Sequence, residues 1–93
     1  MMISGLIWDI YNIQHITRHY VTQDEVEEVV NGIYIELKGK GRWKRVVLVG
    51  ATDAGRIPKV ILEPRDNYFY YVISTFDAKR EEIVLYKQMR GGL

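Results

Sequence analysis

Residues 8–30 read WDIYNIQHITRHYVTQDEVEEVV, and their pattern decides what kind of fold this chain can adopt. Asp9 is suited to cap a helix reaching about His19, with Ile10, Ile13, Ile16 and Thr17 on one side and Tyr20 near them. Tyr11, Gln14, His15, Arg18 and His19 fall on the other side. Thr22-Gln23-Asp24-Glu25 opens a second helix, because the Thr22 hydroxyl and the Glu25 carboxylate can cap each other's backbone N–H groups. Val26, Val29 and Val30 then face inward, and Asn31-Gly32 stops the helix.

Working outward, Ile3 to Trp8 reads as a short first strand. Beyond Gly32, Ile33, Ile35 and Leu37 alternate with Tyr34, Glu36 and Lys38, the period of a half-buried strand. Lys38 to Arg42 is a glycine-rich turn leading to Arg45–Ala51. Its run Val46-Val47-Leu48-Val49 is apolar on both faces, so that strand is central. Thr52–Arg56 turns, and Pro58 stands where a strand can begin. Val60–Leu62 and Phe69–Thr75 form a second hairpin around residues 63–67. A last helix runs from about Ala78 to Met89, capped by Asp77 and ended by Gly91-Gly92. The predicted order is β-α-α-β-β-β-β-α, an α+β fold with helices packed on a mostly antiparallel sheet.

Nothing in the 93 residues invites a domain cut, so residues 1–93 are expected to form one domain. The absence of cysteine excludes disulfides and thiolate metal sites and suits a reducing compartment. No apolar run reaches the roughly 20 residues of a membrane span, and MMISGLIWDI lacks a basic n-region. A cytoplasmic protein without membrane association is expected. The net charge of +1 conceals a segregation. Residues 1–37 carry six acids against Arg18 alone, residues 38–59 carry seven bases against Asp53 alone, and the remainder carries five of each. A basic block of that kind can attract phosphate, or it can be a solvated hairpin.

Several residue groups could carry chemistry. His15 and His19 are one helical turn apart, a metal-gripping spacing, but no third His or Cys exists and no metal or other cofactor is expected. His19 beside Arg18 suits proton transfer, since an imidazole reaches either protonation state near neutrality. Gly41-Arg42-Trp43-Lys44-Arg45 interleaves bases with an indole. It can stack an RNA base and hold its phosphates, or it can pack Trp43 over a hairpin edge whose charges deter strand pairing. The cluster Tyr68 to Tyr71 reads as structural, core on one face and cross-strand pairs on the other. The loop Gly50–Gly55 lacks the lysine of a nucleotide-binding loop, and neither Ser4 nor Ser74 sits in a nucleophile elbow.

Taken in order, these motifs resemble the BrnT family, ribonuclease toxins of type II toxin–antitoxin pairs with a RelE-like fold. The residues carrying the resemblance are Ile7-Trp8-Asp9, Arg18-His19-Tyr20-Val21, Thr22 to Glu25, Glu27-Glu28-Val29, Arg45 to Gly50, Gly55-Arg56, Ile73 to Phe76, and Glu82 with Tyr86. The first helix is one residue shorter than in the commonest pattern, Tyr20 replaces the usual glycine, and the arginine of Ile-Ser-Ala-Arg falls on Phe76. The resemblance implies a metal-independent endoribonuclease that cleaves RNA, chiefly mRNA, and is neutralised by a small antitoxin protein. In that reading His19, Arg45 and Arg56 are the catalytic candidates. Arg18, Arg42, Trp43, Lys44, Lys79 and Arg80 contact RNA, with Lys79 or Arg80 standing in for the arginine absent at Phe76. The alternative is a non-catalytic module of the same fold that binds a partner protein or RNA. Homo-oligomerisation is left open by the sequence.

Overall fold

The computed structural model describes residues 1–38 and 44–91. Its elements are β1 (Gly5–Ile7), α1 (Ile10–Thr17), α2 (Gln23–Asn31), β2 (Tyr34–Glu36), β3 (Val46–Gly50), β4 (Pro58–Pro64), a 3-10 turn (Asp66–Tyr68), β5 (Phe69–Asp77) and α3 (Arg80–Gly91). The order matches the sequence reading. The strands form one five-stranded sheet in the order β1-β5-β4-β3-β2, antiparallel except for the parallel β1–β5 pair. Among the described residues no helix is long and apolar enough to cross a membrane.

Alternation along the strands builds a core on each face of the sheet. On one face Leu48, Val60, Leu62, Tyr70 and Val72 meet Ile16 of α1 and Val26, Val29 and Val30 of α2. On the other, Val47, Val49 and Ile61 meet Tyr86 of α3, together with Leu37. This is why Val46 to Val49 reads apolar throughout: β3 lies inside the sheet and is covered twice.

The two helix starts follow their capping chemistry. The Asn12 N–H donates to Asp9 Oδ1 and the Asp9 N–H to Asn12 Oδ1, both at 2.9 Å. The Thr22–Glu25 box closes in the same way at 3.0 and 3.1 Å. Tyr71 on β5 donates its hydroxyl to the Asp9 carboxylate at 2.9 Å, tying the α1 start to the sheet. The Asn12 N–H bond, followed by that of Tyr71, holds the Asp9 carboxyl below its ordinary range. Trp8 Nε1 donates to Glu27 at 2.9 Å and joins the β1 exit to α2.

Some expectations are corrected. β1 is shorter than Ile3–Trp8, and α1 ends at Thr17 rather than His19. The buried side of α1 is Asn12 and Ile16, while Ile10 is 62 % exposed and Thr17 also faces solvent. The cause is the Ile7 carbonyl leaving β1, which accepts from Asn12 Nδ2 at 2.9 Å and so draws a polar side chain inward. Ile33, expected inward, precedes β2 and is exposed, while its carbonyl accepts from the Tyr86 hydroxyl. Asp77 does not cap α3; it is bound to Arg56, and Glu82 takes the Lys79 N–H instead. Most of the Lys38–Arg42 turn, and with it Arg42 and Trp43, lies outside the described residues.

Asn12→Ala removes the reciprocal cap and the Ile7 contact together. It is expected to destabilise the fold by about 2 kcal/mol, read as a lower urea midpoint with an unchanged slope.

Candidate functional site

The tight turn before β4 delivers Arg56. Thr52 anchors it, its N–H meeting the Arg56 carbonyl at 2.7 Å and its hydroxyl accepting the Arg56 N–H at 3.1 Å. Gly55 takes a φ of +92°, which glycine adopts without strain. The guanidinium then reaches three separate elements. Nε donates to Asp77 at the end of β5 at 2.9 Å, and Nη2 to the His19 carbonyl at 3.1 Å. Nη1 donates to the Tyr20 carbonyl and lies 3.5 Å from Glu25 of α2. The Asp77 hydrogen bond is the main cause that raises the Arg56 pKa above its ordinary value, so this group is a permanent cation.

Those carbonyls belong to the end of α1, where four backbone acceptors lack helical partners and the dipole is negative. The His19 N–H bonds back to Ile16 and the Tyr20 N–H to Thr17, each at 2.9 Å, and the Val21 N–H to Ile16 at 3.2 Å. Arg56 therefore fixes the backbone that carries His19, and it does so with donors that a phosphate would otherwise use.

The His19 ring lies against Phe76 of β5, centroids 5.6 Å apart, and His15 follows at 5.8 Å. It reaches Phe76 because β1 covers only Phe69–Tyr71, leaving the far half of the β5 edge to α1. Phe76 is paired across the sheet with Lys59, whose ammonium stands 5.3 Å from the ring centroid. That ammonium binds Glu82 of α3 at 3.0 Å, the two side chains being 13 % and 10 % exposed. Burial pushes the Glu82 carboxyl up, but the Lys79 N–H and the Lys59 ammonium outweigh it, and its pKa lies below the ordinary value. No group of three or more His, Asp or Glu able to hold a metal forms among the described residues.

The candidates from sequence divide into two groups. His19, Arg18 and Arg56 gather at the α1 end, with Lys79 and Arg80 just beyond Asp77 at the start of α3. Arg45 does not join them. It precedes Val46, which is opposite Leu62, whereas Arg56 precedes Pro58 at the other end of β4. Leu62 and Pro58 are separated by about 13 Å of strand. The Arg45 Nε is buried without a hydrogen-bond partner among the described residues, and the exposed Lys44 lines a separate groove with Arg65 and Phe69. Lys59 escaped the sequence reading as a site residue. Its signal is a charge at the second position of a strand whose neighbours Pro58, Val60 and Leu62 are all buried.

A five-stranded mixed sheet, two helices between β1 and β2, and a C-terminal helix on the opposite face define an α+β fold. Among solved structures, the 1.1 Å crystal structure of the Brucella abortus ribonuclease toxin BrnT matches it with a TM-score of 0.63 and 23% identity, over 82% of this chain and 97% of that one. No protein-family model and no curated protein matches the chain. The fold is thus BrnT-like, as expected from the order of motifs.

Two outcomes test this geometry. Lysine has one point charge and cannot span Asp77 and two carbonyls, so Arg56→Lys is expected to lower stability by roughly 1–3 kcal/mol in urea titrations. Glu82, with its folded pKa depressed, contributes stability that is complete above the unfolded glutamate value of about 4.3. That contribution is lost as pH falls through the lower folded value. Glu82→Gln should therefore be less stable than the parent at neutral pH, and the gap should close on acidification.

Proposed function

We propose that the chain is a metal-independent endoribonuclease toxin that acts on RNA, mRNA foremost, in the cytoplasm and is held inactive by a small antitoxin protein. The observation that carries this reading is His19. On a BrnT-like fold, the Arg56 clamp fixes its backbone while its exposed ring lies against Phe76 at the β5 edge. Cleavage by an internal nucleophile needs a base for the ribose 2′-OH, an acid for the departing 5′-oxygen, and positive charge beside the non-bridging oxygens. The 2′-oxygen attacks phosphorus as its proton leaves, the P–O5′ bond breaks, and O5′ gains a proton. The products are a 2′,3′-cyclic phosphate and a 5′-hydroxyl.

In this scheme His19 moves the proton, and Arg18, Lys79 and Arg80 offer flexible cations to the phosphate. Arg56 acts chiefly as a positioning residue, because its donors are committed to Asp77 and the α1 carbonyls. Arg45 and Lys44, at the far end of the sheet, serve binding of RNA beyond the cleaved bond, together with Arg42 and Trp43.

A second reading, a non-catalytic module that binds RNA or a partner protein, is favoured by one feature. Phe76 occupies the centre of the site, and the cation behind it, Lys59, is already neutralised by Glu82.

Purified protein incubated with mRNA, with and without EDTA, distinguishes the two. Cleavage with 5′-hydroxyl ends in both conditions is expected, and His19→Asn should slow it by about 100-fold or more without changing the melting temperature. No cleavage at a molar excess of protein would favour the binding module.

A further inference from the structure

The α1 end contains a residue that the fold does not need. Its hydrogen bonds form a Schellman-type closure, with the Tyr20 N–H bonded to Thr17 and the Val21 N–H to Ile16, and with Ile16 and Val21 buried. Such a closure requires a left-handed residue, and glycine fits it freely. Here the position holds Tyr20 at φ +59°, a conformation strained for a bulky side chain. The ring returns nothing to the fold: it is 87 % exposed, and its hydroxyl makes no hydrogen bond among the described residues. An aromatic held at a cost, next to His19, fits a ring kept for a ligand.

Tyr20 also walls a groove of about 410 Å³. Ile16 and Val21, both buried, form its floor beside Ile13, and the exposed Thr17 and Gln23 form its rim. No charged side chain lines it. The groove therefore suits an uncharged planar group with polar edges rather than a phosphate. Thr22 is spent on Glu25, whereas the Gln23 amide, with two donors and an acceptor, has no partner among the described residues.

We propose that this groove is a nucleobase subsite for single-stranded RNA, with Tyr20 stacking on the base and Gln23 addressing its edge. The proposal rests on the ribonuclease reading above and adds where the strand is gripped. Base–aromatic stacking is tolerant of sequence and strong enough to repay strain at one backbone position.

The test uses the full chain and a fluorescein-labelled 2′-O-methyl oligoribonucleotide, which binds but offers no 2′-hydroxyl for cleavage. Tyr20→Gly is expected to raise the melting temperature by a few degrees while weakening binding about tenfold or more. Tyr20→Phe should keep the parent affinity. Parent protein that binds or cuts RNA, with a Tyr20→Gly variant of equal affinity, overturns the subsite and leaves the ribonuclease reading standing. That result would direct the ring to a protein partner instead. A Tyr20→Gly variant that melts lower than the parent shows that the ring supports the fold and also overturns the proposal. Parent protein that neither binds nor cuts RNA overturns both readings.

Discussion

The Arg56 guanidinium is the constraint on which this site depends. One planar, permanently charged group joins the start of β4 to the end of β5 through Asp77, to the end of α1 through two carbonyls, and to α2 through Glu25. Its geometry suits the task, since a fork of donors can meet acceptors in several directions at once. Its charge suits the place, since the carbonyl end of a helix is negative and lacks internal partners. Without it, His19 would sit on a frayed helix end, and Tyr20 would have less to hold it in a left-handed conformation.

The rest of the molecule is arranged so that this junction is rigid. Asp9, Asn12 and Tyr71 lock the start of α1 to β1 and β5, while Trp8 binds Glu27 of α2. With both ends of a short helix fixed by polar contacts, its position depends less on apolar burial, which explains why Ile10 can remain outside. On the other face, Lys59 and Glu82 perform the same service for α3. A buried ion pair adds little net stability once desolvation is counted, but it penalises any packing that separates the partners. Phe76 lies between that pair and His19, so the two faces of the sheet meet at its ring.

Much of the fold was legible in the sequence because the deciding interactions are local. The Thr22–Glu25 box, the Asp9 cap, the apolar Val46–Val49 run and Pro58 at the head of β4 each act within a few residues. The candidate site was legible only in part. His19 and Arg56 do share one end of the molecule, but Arg45 lies at the other, because antiparallel pairing of β3 with β4 carries it toward Leu62. Charge clustering along the chain gave no hint of that separation, since neighbours in sequence leave a strand at opposite ends.

The sequence by itself determined the order of elements, the starts of α1 and α2 and the strand that is buried twice, through capping chemistry and hydrophobic period. It also held the ordered motifs that resemble the BrnT family. Tertiary structure alone decided that Asn12 turns inward, that Asp77 serves Arg56 instead of α3, that Lys59 finds Glu82, and that Tyr20 stands in solvent above a neutral groove. The physical reason is the range of the contacts. A cap is satisfied within one turn, whereas a guanidinium or an ammonium finds its partners only after sheet and helices have met. The fold could be read along the chain; the roles of its charged residues could not.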